Sequence, residues 1–216
     1  MKKIHLIAMT ITLAFVLIGC SDPQKASEEN FEVSIQRFLD ASFPLCVFRQ
    51  NFPIEIKIYS DGKVPIYDGM TKLGLLTKTE ETRAAVNRYA KPSKVAVYDL
   101  TSEGKKYYVS AGNNKANQDA GCICLGKAKV EEIIDFTQPS DMFGATISRV
   151  NYTYSVFDLP DWAKNDEIRS LNYQLKKVVE ANGSPIKEHA DMVLTNKGWK
   201  HGNQDMLDAA NEKRTK

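Results

Sequence analysis

The amino-acid sequence predicts an α+β domain, an antiparallel sheet with two or three helices packed on one face. Apolar residues recur at helical spacing in two separate stretches, residues 31–39 and 168–179. Two other stretches, 128–136 and 150–156, alternate apolar with polar residues, as strands with one wet face do. No linker inside residues 31–200 is long enough to divide them, so a single domain is expected.

The first helix is expected over 28–41. Phe31, Ile35, Phe38 and Leu39 form one stripe, Glu28 and Glu29 suit the positive N-terminal end, and Pro44 prevents continuation. Ile54, Ile56 and Ile58 alternate with Glu55, Lys57 and Tyr59, the pattern of a half-buried strand, and Asp61-Gly62 signals a turn. A short helix is expected over 66–76, and residues 77–92 show no clear period. Lys94 to Leu100 reads as a strand, 101–108 as a helical turn or a hairpin, and 111–120 as a loop.

The clearest sheet signal follows. Ala128, Val130, Ile134 and Phe136 fall on one face of a strand, with Lys129, Glu131 and Asp135 opposite; Glu132 and Ile133 disturb the alternation. Pro139 to Gly144 lead to a second strand with Val150, Tyr152, Tyr154 and Val156 on one face and Arg149, Asn151, Thr153 and Ser155 on the other. These two strands are expected to pair as an antiparallel hairpin. A last helix is expected over 164–181, with Ile168, Leu171, Leu175, Val178 and Val179 as its stripe and Gly183 and Pro185 as its stop. A short strand, Asp191 to Trp199, then precedes a polar tail, 201–216, expected to be frayed.

The N-terminus has a different character. Lys2 and Lys3 precede an apolar run from Leu6 to Leu17, 12 residues interrupted only by Thr10 and Thr12. As a helix this run is about 18 Å long, too short for a hydrocarbon layer of about 30 Å. A charged start, a short apolar run and a small residue before a cleavage point make a signal peptide. The run closes on Leu17-Ile18-Gly19-Cys20, which resembles the lipobox of bacterial lipoproteins.

The resemblance implies that residues 1–19 are removed, that a thioether diacylglycerol is attached to Cys20, and that the new amino group is acylated. Stable attachment to a membrane needs at least two acyl chains, and this arrangement supplies three. Residues 20–30 are then the acylated end and a flexible tether, spanning about 17 Å on average. Ser21 stands where enterobacterial lipoproteins retained in the inner membrane tend to carry aspartate. The expected location is therefore the outer membrane, facing the periplasm, with the inner membrane as the alternative.

Removing 19 of the 216 residues leaves 197, enough for one ordinary domain. The net charge of +2, from 29 basic and 27 acidic residues, disappears with Lys2 and Lys3. A neutral mature chain has no long-range field to steer DNA or acidic lipid, so no nucleic-acid partner is expected.

Cys46, Cys122 and Cys124 remain beyond the anchor. The compartment implied by the lipobox is oxidising, so two of them should pair. Cys122 and Cys124, two apart in a strand, point the same way and suit a mutual bridge poorly. The expected disulfide is Cys46–Cys124, with Cys122 buried or reactive, and Cys46–Cys122 stays open as the alternative. In the chain-entropy treatment such a long loop is worth at most about 4–5 kcal/mol. With only His189 and His201 beyond the signal peptide, a full zinc set is not expected, and no metal or other cofactor is assigned.

Other motifs carry less. Leu100-Thr101-Ser102-Glu103-Gly104 and Leu194-Thr195-Asn196-Lys197-Gly198 share a Leu-Thr-x-x-Gly pattern, read as two strand-end turns of similar chemistry rather than a true repeat. With Leu73 to Thr77 before it, the first copy also resembles the helix, strand and wing of winged-helix regulators, but DNA binding would need a basic face. There is no Gly-x-Ser-x-Gly and no His-Glu-x-x-His. Cys122 with His189 or His201 is the one conceivable thiol dyad, and a structural cysteine is the simpler reading. Asp158, Asp161 and Trp162 read as a turn that ends the long strand and plugs the indole into the core. Tyr107, Tyr108, Tyr152 and Tyr154 either furnish a ligand face or pack as core.

No catalytic residue is assigned. The expected function is non-enzymatic: binding, adaptor work or envelope maintenance, with the membrane through Cys20 and an envelope protein as partners. The alternatives are an inhibitor or immunity-type protein, and an enzyme acting on cell wall or thiols. A cleft gathering a histidine with Cys122 and an acid would favour the enzyme.

Overall fold

The computed structural model describes residues 22–58, 64–85, 87, 89, 91–110, 120–142, 144–170 and 172–215. The expected signal peptide, Cys20, Ser21, the expected Asp61-Gly62 turn, most of the expected 111–120 loop and Leu171 lie outside the described residues. The chain is α+β, with six α-helices and eleven strands among the described residues, and every strand pairing is antiparallel. The strands divide among three sheets.

Helix α1, Glu28–Ser42, forms as the pattern requires. Ser27 is its N-cap, with Oγ accepting from the Asn30 N–H at 3.4 Å, and the extended Phe43 before Pro44 ends it. Its stripe lies on the large sheet, whose strands are β7 (Lys127–Phe136), β8 (Ser140–Met142), β9 (Ala145–Phe157), β10 (Ile186–Thr195) and β11 (Gly198–His201), in the order β11-β10-β9-β7 with β8 also on β9. Phe31, Ile35 and Leu39 are buried, and the Phe31 ring stands 4.9 Å from both Phe136 and Trp199.

β9 alternates as expected, with Val150, Tyr152, Tyr154 and Val156 inward. β7 departs from its expected phase. The register against β9 slips between Val130 and Glu132 and again between Ile133 and Asp135. Each bulge inserts one residue and reverses the faces beyond it. Ile133 therefore points into the core, and Ile134, expected inward, is 43% exposed.

Two further expectations are corrected. The strand expected over Asp191 to Trp199 is a hairpin, because Asn196 and Lys197 turn the chain and Gly198 takes φ 111°. The Thr195 hydroxyl donates to the Gly198 carbonyl at 2.7 Å and closes that turn. The tail beyond His201 is not frayed: Gln204–Thr215 is helix α6, and Asn211 Nδ2 donates to the Ala41 carbonyl at the end of α1.

The second core lies under the smaller sheets. One is β2 (Ile54–Lys57), β4 (Ser93–Leu100) and β3 (Leu76–Arg83), in the order β2-β4-β3; the other is β1 (Leu45–Arg49), β6 (Cys122–Leu125) and β5 (Tyr108–Val109), in the order β1-β6-β5. The sequence leaves β1 and β3 unmarked. Helices α2 (Val64–Lys72) and α3 (Ser102–Tyr107) flank them. Gly74, at φ 75°, turns the chain out of α2 earlier than the sequence pattern implies.

The helix expected over 164–181 is broken into a 3-10 turn (Asp161–Lys164), α4 (Asp166–Arg169) and α5 (Tyr173–Ala181). Asn165 and Asn172 cause the breaks, since each side chain accepts from two backbone N–H groups and caps a new helix. The two Leu-Thr-x-x-Gly segments also differ: Thr101 caps α3, whereas Thr195 closes a hairpin. No helix among the described residues is long and apolar enough to cross a membrane.

Part of the segment expected to be a flexible tether is held against the fold. Trp199 Nε1 donates to the carbonyls of Gln24 and Lys25, both at 3.1 Å, and Gln24 Nε2 donates to the Asn196 carbonyl. The chain is thus docked on the β10–β11 hairpin from about Gln24 onward.

Phe31 is the aromatic centre of the first core. Phe31→Ala should lower stability by about 3–5 kcal/mol in urea unfolding. Val33→Ala, on the exposed side of the same helix, should change it by about 0.5 kcal/mol or less.

Candidate functional site

A cleft opens where β10 runs past the end of β11. Its volume is about 400 Å³, and α1, α5, β9 and β10 wall it. Phe38 and Phe43 supply its apolar side, Tyr152 and Tyr154 its floor, and Glu188 and His201 its polar groups. Small-molecule and peptide sites share this make-up, an apolar surface with a few placed polar groups.

His201 ends β11 and stacks on Phe38, with ring centroids 3.5 Å apart and planes within 6°. Its Nδ1 accepts the Asn203 N–H at 3.1 Å, so the neutral ring carries its proton on Nε2. Burial pushes its pKa below the ordinary histidine value, with the Asp191 charge opposing. The imidazole is therefore an uncharged donor at neutral pH.

Burial raises the Tyr152 and Tyr154 hydroxyls above the usual phenol range, so both stay protonated. Burial also opposes the charge on Glu188. The hydrogen bond from Lys177, at 2.8 Å, and its positive charge outweigh that and hold the carboxyl below its usual range. The cleft therefore offers aromatic surface, a neutral N–H donor and a carboxylate already paired with a lysine.

Among the residues singled out in the sequence, Cys46 and Cys124 come together. They face each other across β1 and β6 with sulfurs 2.12 Å apart, at disulfide distance. Cys122 is buried beside them, and all three sulfurs lie within 4.8 Å of one another. Three sulfurs are one short of a tetrahedral zinc set, and with two at bonding distance only the third is left to donate.

The thiol dyad is not assembled at the cleft. Both histidines line it, and Cys122, on β6, does not. The four tyrosines do not share a face either. Tyr107 packs on Trp162 at 5.2 Å and Tyr108 on Phe52 at 5.8 Å, around the second core. Asp158 and Asp161 pair with Lys127 and Lys164 at the surface, and Trp162 is buried, as a turn plugged by an indole requires.

The cleft residues Phe38, Glu188, His201 and Asn203 carry no local motif. A histidine at the start of a polar tail gives no sign that an aromatic ring far earlier in the chain will cover it. No protein-family model, curated protein or solved structure matches the chain.

His201 gives the fold a pH signature. Its folded pKa lies below the unfolded value of about 6.5, so unfolding takes up a proton as the pH falls through that region. The urea midpoint should hold above about pH 6.5 and decline as the pH falls toward the depressed folded value. The same burial-driven decline should be absent in His201→Gln. Glu188 and Asp191, also held low, act in the more acidic carboxylate range.

Proposed function

We propose that this chain is an outer-membrane lipoprotein of the periplasmic face, anchored through acylated Cys20, with a non-enzymatic binding role exercised at the aromatic cleft. The observation that carries the binding role is the cleft itself: about 400 Å³ of half-apolar space in which His201 and the two tyrosines are neutral and Glu188 is paired with Lys177. Such a set holds a ligand by surface and hydrogen bonds and offers no activated nucleophile. The anchor rests on Leu17-Ile18-Gly19-Cys20. The Cys46–Cys124 disulfide belongs to the same reading, since an oxidising periplasm favours it.

The anchor is tested by metabolic labelling with an alkyne fatty acid. The parent protein should label and Cys20→Ala should not, accumulating instead as the unprocessed precursor; equal labelling would remove the anchor. Ser21→Asp should move the protein toward the inner membrane of an enterobacterial host.

The binding role is tested by a photoreactive phenylalanine placed in cells at Ser42 or Gln174, inside the cleft, and at Lys129, on an exposed strand position. A discrete adduct should form from the cleft positions alone and disappear when Ser42→Trp fills the space. Adducts of equal yield from Lys129 would place the contact elsewhere.

A further inference from the structure

β10 is longer than the strand that covers its outer edge. Residues 186–193 pair with β9, whereas β11 meets only residues 192–195 on the other side. The last contact on that side is Gly202, whose N–H donates to the Asp191 carbonyl at 2.8 Å. Alternate residues of a strand send their N–H and C=O groups to the same edge. Lys187 and His189 therefore direct theirs the same way as Asp191, away from β9, and no strand meets them among the described residues. Both residues are exposed. The His189 N–H leans on the neighbouring Glu188 carboxylate at 3.3 Å, as it would on an incoming carbonyl.

The two edges of the large sheet differ. β7, on the far side, is bulged twice, and bulges spoil an edge for further pairing. The open part of β10 keeps a regular register with β9, so its groups stay aligned for another strand. The aromatic cleft opens along this same stretch. Glu188 lies on its wall, and Tyr152, opposite Glu188 across the ladder, lies on its floor. Strand addition uses this combination, in which backbone groups supply affinity and a pocket selects a side chain.

We propose that the cleft receives an extended polypeptide segment of a partner protein, added as a strand to the open edge of β10. The segment runs antiparallel to β10, in line with β11, and its N–H and C=O groups meet those of Lys187 and His189. Directly opposed side chains share a face. The residue opposite Glu188 therefore turns inward, where a large apolar side chain fills the space over Tyr152. The residue opposite Lys187 faces outward and is acidic, because opposite charges across a pair attract and like charges repel. This inference rests on the binding role proposed for the cleft and names its ligand class.

A second copy of the chain fits the edge poorly. A two-fold pairing centred on Glu188 or on Lys187 sets two like charges against each other. One centred on His189 runs Lys187 into Gly202, which already holds Asp191.

The probe is the pentapeptide Ac-Ser-Thr-Phe-Glu-Ser-NH2, whose Phe falls opposite Glu188 when its Glu falls opposite Lys187. In nuclear magnetic resonance spectra of the chain as cells process it, millimolar peptide should shift the Lys187 and His189 amides. Replacing the peptide's Phe by Ala should weaken binding about tenfold, and so should methylating its Thr and Glu backbone nitrogens. Lys187→Pro removes an edge N–H without touching the ladder to β9, so it should abolish binding while the protein stays folded. The methylated peptide makes the same test without altering the protein.

Equal binding of the methylated peptide would overturn strand addition and leave the cleft as the binding site. So would a peptide that shifts neither amide while the adducts from Ser42 and Gln174 persist in cells; loss of those adducts as well would remove the binding role. Concentration-dependent shifts of the same amides without peptide would give the edge to a second copy. Slow hydrogen exchange at Lys187 without peptide would give it to the chain itself, and either result overturns the proposal.

Discussion

Phe31, Ile35 and Leu39 share one face of α1 and have to leave water together. Each large apolar side chain gains about 1.5–3 kcal/mol by full burial, so the helix is held where a matching apolar face exists. The inner side of β7, β9, β10 and β11 is that face. Trp199 is the point at which the contact is tied. Its ring packs on Phe31, its carbonyl accepts the Ser34 hydroxyl at 2.6 Å, and its indole N–H reaches the chain just before α1. The N-terminal approach, the first helix and the last hairpin are thereby fixed to one another. The aromatic cleft follows from that arrangement, because it opens along a flank of α1.

The elements legible in the sequence are those whose burial is one-sided. α1 and β9 each face the core on one side and water on the other, so period and outcome coincide. β7 shows where period fails. The disturbance at Glu132 and Ile133 is visible in the sequence, but a reader of alternation alone keeps the original phase. The bulges shift it, and Ile133 takes the inward place instead of Ile134. The helix near 164–181 fails for another reason. Its apolar spacing survives across two breaks, while Asn165 and Asn172 act through hydrogen bonds that a hydrophobic pattern does not record. Small β1 and the long polar β3 are made by tertiary pairing and have no strong period of their own.

The sites divide along the same line. Same-face geometry sets aside only a Cys122–Cys124 bridge and leaves Cys46 open to either neighbour; the structure sets Cys46 in register with Cys124. The aromatic cleft could not be anticipated. Phe38 and Phe43 are brought beside His201 and Glu188 by α1 crossing the large sheet. These are contacts between the first and last parts of the fold, and none of the residues belongs to a motif. What a sequence can show of such a site is limited to the types of residue left over once the core has been counted.

The outer face of the large sheet is where strong contact is least to be expected. Arg149 pairs with Asp191, Asn151 Nδ2 donates to Asp135, and the Ser155 hydroxyl donates to Glu131, so polar groups across neighbouring strands satisfy one another. Exposed pairs of this kind add only about 0–1 kcal/mol each, yet a partner that displaced them would have to replace every one. The flanks of α1 present the opposite situation. The cleft there holds uncovered aromatic surface with a neutral imidazole. Contact there removes apolar surface from water, which favours a bound state. The free energy available for recognition is therefore concentrated along α1, the same helix whose burial holds the N-terminal segment in place.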